Sequence, residues 1–199
     1  MTYETFTKGV NDWNNHTILL WKALEMTGAG PVIEMGCGDG SARQLHEYCA
    51  DNNRRLYSFD TDQDYINRFA DCMTENHTFH RIINNWEMAQ QICPLPSVIL
   101  IDHAPGERRI VDVKNYSDKI NGTMVLHDTQ PPPTAADYGW ERIWKLFKYK
   151  VDLRVEVNPD PPFHNRTWAS AVSNTHDITK WEGEETGNKD YTIQINTRL

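Results

Sequence analysis

Short apolar runs alternate with longer amphipathic segments along most of the chain. The short runs are bounded by glycine, proline or polar residues, and this context is typical of buried strands. We predict strands at residues 32–35, 56–59, 79–83, 97–101, 123–126, 151–157 and 167–173. The last two are joined by the proline-rich loop 158–166, and we expect them to form an antiparallel pair at one edge of the sheet.

The amphipathic segments carry apolar residues at spacings of three and four, the period of one helix face. We predict helices at residues 9–27, 41–52, 63–74, 86–92, 107–120 and 135–149. Strands that alternate with helices favour a doubly wound, mostly parallel α/β sheet of seven strands with helices on both faces. We expect one domain over residues 1–175, with helix 9–27 as an N-terminal lid and 176–199 as a polar C-terminal extension. Within that extension, residues 191–195 are a candidate additional strand.

Composition narrows the class of protein and its partners. The 199 residues carry a net charge of −8, which disfavours nucleic acid as a partner because nucleic-acid binders usually present a basic face. The apolar runs are too short to span a bilayer, so we expect no membrane partner. The N-terminal residues lack the basic and apolar regions of a secretory signal, which predicts a cytoplasmic protein. We therefore expect the 4 cysteines to be reduced and buried.

Three glycines at alternate positions follow the first predicted strand, in the sequence Glu34-Met35-Gly36-Cys37-Gly38-Asp39-Gly40. Glycine lets a backbone turn tightly and approach a ligand closely. A dinucleotide-binding loop would have glycine or alanine at position 41, where this chain has Ser41. The carboxylate of Glu34 would also repel a nearby phosphate. The loop therefore favours a cationic ligand over a dinucleotide.

An acidic residue, Asp60, ends the second predicted strand. In doubly wound folds a carboxylate at this position accepts hydrogen bonds from ribose hydroxyls. The acid, the glycines and Asp60 together resemble the class I S-adenosylmethionine-dependent methyltransferases, a resemblance that covers residues 30–175. It implies S-adenosylmethionine as the cofactor, with Gly36, Gly38 and Gly40 beneath it and Asp60 and Thr61 at its ribose. It also implies Glu34 near the methionine part, Asn85 and Trp86 near the adenine, and Asp102 at the cofactor's edge.

Two further polar pairs end the fourth and fifth predicted strands, Asp102-His103 and His127-Asp128. We expect these strands to be neighbours, so that two carboxylates and two imidazoles converge on one edge of the sheet. Such a group suits either a divalent metal or an acid–base pair. As metal ligands we predict Asp102, His127 and Asp128; their oxygens favour Mg²⁺ or Mn²⁺, and the imidazole favours a later transition metal. As a base, His103 beside Asp102 would take the acceptor's proton, because an imidazole titrates near neutral pH.

The same residues resemble the cation-dependent O-methyltransferases, in which an aspartate after the fourth strand and an acidic pair after the fifth bind the metal. Residues 101–106 and the His127-Asp128 pair also resemble the plant glucuronoxylan methyltransferases, although this chain has one extra residue before Pro105. The resemblance implies methyl transfer to a hydroxyl of a small molecule or sugar. A divalent cation would assist by lowering the pKa of that hydroxyl.

Each residue of this edge also has a structural interpretation, as a helix cap, a turn residue or a core histidine: Asp102, Asp128, His103 and His127. We expect His16, on the first predicted helix, to be solvated, and the Arg108-Arg109 pair to be a solvated helix turn. Three other functions stay open: a methyltransferase of nucleic acid or protein, a non-catalytic cofactor-binding module, and a nucleotide-dependent oxidoreductase. The sequence does not indicate an oligomeric state.

Overall fold

A mixed sheet of eight strands forms the centre of the computed structural model, which describes residues 1–11, 13–83, 85–131, 138–155 and 168–198. The strands are β1 (Val32–Met35), β2 (Leu56–Asp60), β3 (His77–Arg81), β4 (Val98–Ile101), β5 (Thr123–His127), β6 (Tyr149–Val155), β7 (Ala169–Ser173) and β8 (Tyr191–Ile195). Their order across the sheet is β3-β2-β1-β4-β5-β7-β6-β8. The first five strands of the chain run parallel, and β7 lies antiparallel between β5 and β6. The predicted α/β sheet and its antiparallel edge are therefore confirmed.

The sheet has eight strands instead of the predicted seven, because the C-terminal segment supplies β8, antiparallel to β6. Tyr191 and Ile193 of β8 are buried, whereas Thr192 and Gln194 are half-buried. This alternation is typical of a strand with one covered face. The candidate strand at 191–195 is thus confirmed, and the segment expected as an extension completes an edge of the sheet.

Six α-helices lie in the described ranges: α1 (Tyr3–Phe6), α2 (His16–Thr27), α3 (Ala42–Asp51), α4 (Gln63–Asn67), α5 (Glu87–Ile92) and α6 (Arg109–Tyr116). Short 3₁₀ turns occur at Ala70–Cys72, Gly106–Arg108, Trp140–Arg142, Trp144–Leu146 and Ile178–Trp181. The predicted helices 63–74 and 107–120 are therefore each part 3₁₀ and part α-helix. None of the described helices is long and apolar enough to cross a membrane.

The lid helix predicted at 9–27 is wrong in its first part, because α2 begins only at His16. Asparagine side chains compete with the helix before that point. Asn14 Oδ1 accepts a hydrogen bond from the Asn11 amide at 2.7 Å, and Asn11 Oδ1 accepts one from the Trp13 amide at 2.9 Å. Such local side-chain bonds hold a backbone in turns. Trp13 is consequently 84% exposed instead of lying on a buried helix face.

The helix predicted at 135–149 is wrong in the part that the structure describes. Residues 138–148 contain two 3₁₀ turns, and β6 starts at Tyr149. Gly139 has a left-handed φ of 80°, which interrupts a helical run. Trp140 and Trp144 are nevertheless buried in the core. Residues 132–137, the predicted loop 158–166 and the predicted strand ends 156–157 and 167 lie outside the described residues.

The sheet separates two apolar layers. Successive β1 residues point to opposite faces, so that Val32 packs in the layer with α2 and α3, and Ile33 packs in the layer with α5 and α6. All four cysteines are free and buried, as predicted. The carboxyl ends of β1 and β4 lie side by side where the strand order reverses. Doubly wound sheets bind ligands in the crevice at this point.

Candidate functional site

The glycine loop after β1 packs directly against the end of β4. Gly36 has a φ of +98°, and a Cβ atom at this residue would lie 2.5 Å from the carbonyl oxygen of Asp102. No side chain fits in that space, and the left-handed backbone also favours glycine. The two neighbouring strand ends are therefore joined by a backbone–backbone contact.

The remaining glycines of this loop have different surroundings. A Cβ atom on Gly40 would lie 2.7 Å from Cβ of Asn14, so the segment before α2 rests on the loop. A Cβ atom on Gly38 would meet nothing closer than the Gly40 amide nitrogen at 3.9 Å. The Gly38 side of the loop is thus open, and the amides that start α3 follow it. A ligand can approach the backbone closely at this point.

Glu34 lies inside the protein, under the glycine loop. Its carboxylate accepts hydrogen bonds from the hydroxyls of Ser41 and Ser58, each at 2.5 Å, and the residue is fully buried. Burial raises the pKa of Glu34 to about 7, although both serine hydroxyls oppose the shift. The carboxylate therefore ties the start of α3 to β2.

A chain of buried polar groups leads away from Glu34. The Ser58 hydroxyl lies 2.9 Å from Nε2 of His77, and Nδ1 of His77 lies 3.2 Å from Nδ1 of His46. Burial and the neighbouring His46 lower the pKa of His77 to about 3, so its imidazole is neutral at physiological pH. Sequence reasoning missed these partners, but a strand register would have found one, because Ser58 stands opposite Glu34 in the β1–β2 pair.

Asp60 ends β2 with its carboxylate beside the glycine loop. One oxygen accepts from the Cys37 amide at 2.9 Å and the other from the Asp62 amide at 2.9 Å. Burial raises the pKa of Asp60, although these amide bonds oppose the shift. A carboxylate has about four acceptor sites, so each oxygen keeps capacity for a further donor such as a hydroxyl. Thr61, next to it, is exposed.

Asn85 and Trp86 lie at the start of α5. The Asn85 side-chain oxygen accepts from the Glu87 amide at 3.0 Å. The buried Trp86 ring stacks on the His103 ring, with centroids 3.9 Å apart. This arrangement joins the loop after β4 to the start of α5.

His103 is buried on the α5–α6 side of the sheet end. Its Nε2 atom lies 3.0 Å from Oδ2 of Asp112, which is itself buried, and its ring lies against Trp86. Its backbone carbonyl accepts a hydrogen bond from Nε of Arg109 at 2.7 Å. The ring is therefore enclosed by protein atoms rather than presented to a ligand.

Asp102, His127 and Asp128 do converge at the ends of β4 and β5. Oδ1 of Asp102 lies 3.1 Å from Nδ1 of His127 and 3.1 Å from Nη2 of Arg109. Nη1 of Arg109 lies 3.0 Å from Oδ2 of Asp128. The prediction of a solvated turn is wrong for Arg109, whose side chain is buried between two carboxylates. No signal in the sequence distinguishes Arg109 from its neighbour Arg108.

The pKa values at this edge describe a strongly coupled ion cluster. Burial alone would raise the pKa of Asp102, but His127 and Arg109 outweigh it and hold that pKa well below its usual range. Burial alone would lower the pKa of His127, but the carboxylates of Asp102 and Asp128 raise it. The side chain of Asp102 is therefore ionised in the folded protein at neutral pH.

His16 reaches the same edge from the start of α2. It is 2% exposed, which contradicts the expected solvated position. Its ring meets the ring of His127 edge to face, with centroids 4.8 Å apart. Burial lowers the pKa of His16 to about 3, so the ring is neutral. One nitrogen or oxygen atom from each of His16, Asp102 and His127 lies within 4.8 Å of the others.

No protein-family model and no curated protein matches the chain. Solved structures match its fold. The C-terminal domain of precorrin-6Y C5,15-methyltransferase from Rhodobacter capsulatus aligns with a TM-score of 0.56 and 12% identity, over 87% of this chain and 99% of that one. A Klebsiella pneumoniae protein assigned as an O-methyltransferase aligns with a TM-score of 0.56 and 12% identity, over 84% of this chain and 82% of that one. The fibrillarin pre-rRNA processing protein of Methanococcus jannaschii aligns with a TM-score of 0.53 and 14% identity, over 85% of this chain and 86% of that one.

These alignments extend along most of both chains, at identities that support a likeness of fold. The strand order, the glycine loop after β1 and the carboxylate at the end of β2 agree with that likeness. The chain has the fold of the class I S-adenosylmethionine-dependent methyltransferases.

Proposed function

We propose that this protein is an S-adenosylmethionine-dependent O-methyltransferase acting on a hydroxyl of a small molecule or sugar. The observation that carries this proposal is the pairing of two features at the crevice between β1 and β4. An open glycine loop lies beside Asp60, whose two oxygens retain acceptor capacity, and the ion cluster of Asp102 borders the same crevice. The methyltransferases among the similar folds support this assignment.

The cofactor supplies a methyl group on a positively charged sulfur, and the protein binds and orients it. Gly36, Gly38 and Gly40 would lie beneath it and Asp60 would bind its ribose hydroxyls, with Thr61 alongside. Asn85 and Trp86 would border the adenine. We assign Glu34 a bracing role under the loop instead of direct contact with the methionine part, because both of its oxygens are occupied by serine hydroxyls in a fully buried position.

The acceptor would lie at the edge formed by Asp102, His127 and Asp128. A divalent cation there would lower the pKa of an acceptor hydroxyl by several units. Asp102 suits this task because its carboxylate is held ionised and is 24% exposed. For His103 we propose a positioning role rather than that of a general base. Its ring is enclosed by Trp86 and Asp112, and its carbonyl holds Arg109 against Asp102.

The net charge of the protein favours a small hydroxylated acceptor over a nucleic acid. Methyltransferase folds also occur in proteins of RNA processing, such as the fibrillarin above. The net charge of −8 opposes binding of a polyanion, because counterion release from phosphates requires a basic surface. A small neutral or hydroxylated acceptor therefore agrees better with this chain.

Calorimetric titration with S-adenosylhomocysteine tests the cofactor assignment. We expect saturable binding to the wild type. Asp60→Ala should lose about 10- to 100-fold in affinity, because it removes the hydrogen bonds between a charged carboxylate and the ribose hydroxyls. Asp64→Asn is the matched control, because Asp64 is an exposed carboxylate on α4. Absence of binding to the folded wild type at millimolar ligand would overturn the proposal.

Transfer of a labelled methyl group then tests the acceptor class. A panel of sugars, phenols and aliphatic alcohols is compared with single- and double-stranded RNA, with and without added divalent cation. Product from hydroxylated small molecules supports the proposal. Product from RNA alone contradicts the acceptor assignment and leaves the cofactor assignment standing.

A further inference from the structure

His16 is a buried histidine whose ring nitrogens have no hydrogen-bond partner within the described residues. Burying a polar group without a hydrogen-bond partner is unfavourable, because the group gives up its hydrogen bonds to water. The ring cannot avoid this cost easily, because His16 is the first residue of α2 and its ring packs against His127. A neutral imidazole offers one acceptor lone pair, so the arrangement indicates a cationic ligand at this position.

We infer that His16, Asp102 and His127 bind one divalent transition-metal cation, with His16 and not Asp128 as the third protein ligand. This inference specifies the cation of the proposed function, but its test does not depend on methyl transfer. Metal–ligand bonds of about 2.0–2.2 Å place adjacent ligand atoms roughly 3.0–3.4 Å apart. Nδ1 of His127 and Oδ1 of Asp102 are already 3.1 Å apart, and all three candidate ligand atoms lie within 4.8 Å of one another.

Geometry makes Asp128 the weaker candidate ligand. Its Oδ1 lies 3.5 Å from Nδ1 of His127, farther than Oδ1 of Asp102 at 3.1 Å, and the group within 4.8 Å consists of His16, Asp102 and His127. Arg109 contacts both carboxylates, Oδ2 of Asp128 at 3.0 Å and Oδ1 of Asp102 at 3.1 Å. With both imidazoles neutral, the form that binds a metal, two carboxylates and one guanidinium leave a net charge of −1. A dication is therefore attracted to the cluster even with Arg109 present. Asp102 can serve both cations because a carboxylate has about four acceptor sites.

The donor set selects the class of metal. Two imidazoles and one carboxylate suit Zn²⁺, Fe²⁺, Co²⁺ or Ni²⁺, whereas Mg²⁺ prefers oxygen ligands. The side chain of Asp102 is 24% exposed, while those of the two histidines face the protein interior. The open coordination positions would therefore lie on the side of Asp102, next to the crevice. An acceptor hydroxyl would enter there.

Metal titration of chelator-treated protein tests this inference. We expect one Zn²⁺ per chain by calorimetry and elemental analysis, with Mg²⁺ binding at least tenfold more weakly. His16→Gln should lose more than about 100-fold in Zn²⁺ affinity, because even outer partners of metal ligands contribute about 10- to 100-fold. Asp128→Asn removes only an outer partner of His127, whose Nδ1 lies 3.5 Å from Oδ1 of Asp128, so it should lose less than about 100-fold. His80→Gln is the matched control, a half-buried histidine stacked on Phe59 away from the cluster.

Unchanged Zn²⁺ affinity in His16→Gln, or a larger loss in Asp128→Asn than in His16→Gln, would overturn the ligand set. X-ray absorption of the Zn²⁺-loaded wild type covers the case in which His16→Gln does not fold. Two imidazoles in the zinc shell support the inference, and one or none contradicts it. Binding of S-adenosylhomocysteine is measured on the same samples. Its absence with zinc bound would remove the proposed function and leave the metal site.

Discussion

Replacing Glu34 by glutamine should remove a pH dependence of stability that the buried carboxyl group creates. Burial raises the pKa of Glu34 from 4.5 to about 7 in the folded protein. Below pH 4.5 the group is protonated in both the folded and unfolded states. As the pH rises from 4.5 to 7, the unfolded chain releases its proton first, so the free energy of unfolding falls. Above pH 7 the full cost of burying the charge is present.

The size of this effect follows from the two pKa values. Each pKa unit corresponds to about 1.4 kcal/mol, so the cost at pH 8 is roughly 3 kcal/mol. The wild type should therefore be less stable than Glu34→Gln by an amount that grows with pH. A glutamine amide can accept from one serine and donate to the other, so the variant keeps both hydrogen bonds of the Glu34 site. In a chain of this length, the difference corresponds to about 6–12 °C in Tm.

Urea denaturation of both proteins at several pH values from 5 to 8 measures the effect. Over this range His77 stays neutral in the folded state and titrates only in the unfolded chain, in both proteins, so the difference between them isolates Glu34. Glu47→Gln, at an exposed position on α3, serves as the control and should differ from wild type by a constant amount. If the gap between wild type and Glu34→Gln is also constant across this range, the carboxyl group does not carry a raised pKa and the reasoning is refuted.

Three further substitutions test the packing of the site. Gly36→Ala should lower the free energy of unfolding, measured in urea, by about 2–3 kcal/mol and weaken S-adenosylhomocysteine binding. The reason is that its Cβ would lie 2.5 Å from the Asp102 carbonyl oxygen. Unchanged stability would contradict this contact. Arg109→Met should lower the free energy of unfolding by about 3–5 kcal/mol in the same assay, because Asp102 and Asp128 lose their shared cation. A decrease below about 1 kcal/mol would show that solvent already screens the two carboxylates. Trp13→Ala should change stability by less than about 0.5 kcal/mol, since the ring is exposed, and a clear loss of Tm would reveal packing at that ring.

The parallel half of the fold was predictable where its strands are buried: β1, β4 and β5 on both faces, and β2 over most of its length. Such strands form continuous apolar runs, and the polar residue that ends each run marks the carboxyl edge of the sheet. Asp60 and Asp102 were located in this way. The first part of the lid helix was mispredicted because spacing alone does not report side-chain bonds to the backbone, as at Asn11 and Asn14. Helix 135–149 was mispredicted because it contains Gly139, whose left-handed φ interrupts a helical run.

The site was harder to predict than the fold, since its contacts join distant parts of the chain. His16 meets Asp102 and His127 only because α2 packs across the sheet next to β5. Arg109 and Arg108 are neighbours with the same chemistry, yet the turn that starts α6 directs one inward and leaves the other half-buried. Periodicity carries no information about either outcome, because both depend on the tertiary arrangement.

The contact of Gly36 with the end of β4 fixes the spacing between the two halves of the crevice. Main-chain atoms alone set this distance, so changes of side chain on the surrounding loops leave it intact. Those loops could therefore be varied in engineering while the separation between the ends of β1 and β4 stayed constant. The same contact makes position 36 the least tolerant of the loop to any enlargement, because a side chain there would meet backbone atoms rather than the end of a flexible side chain.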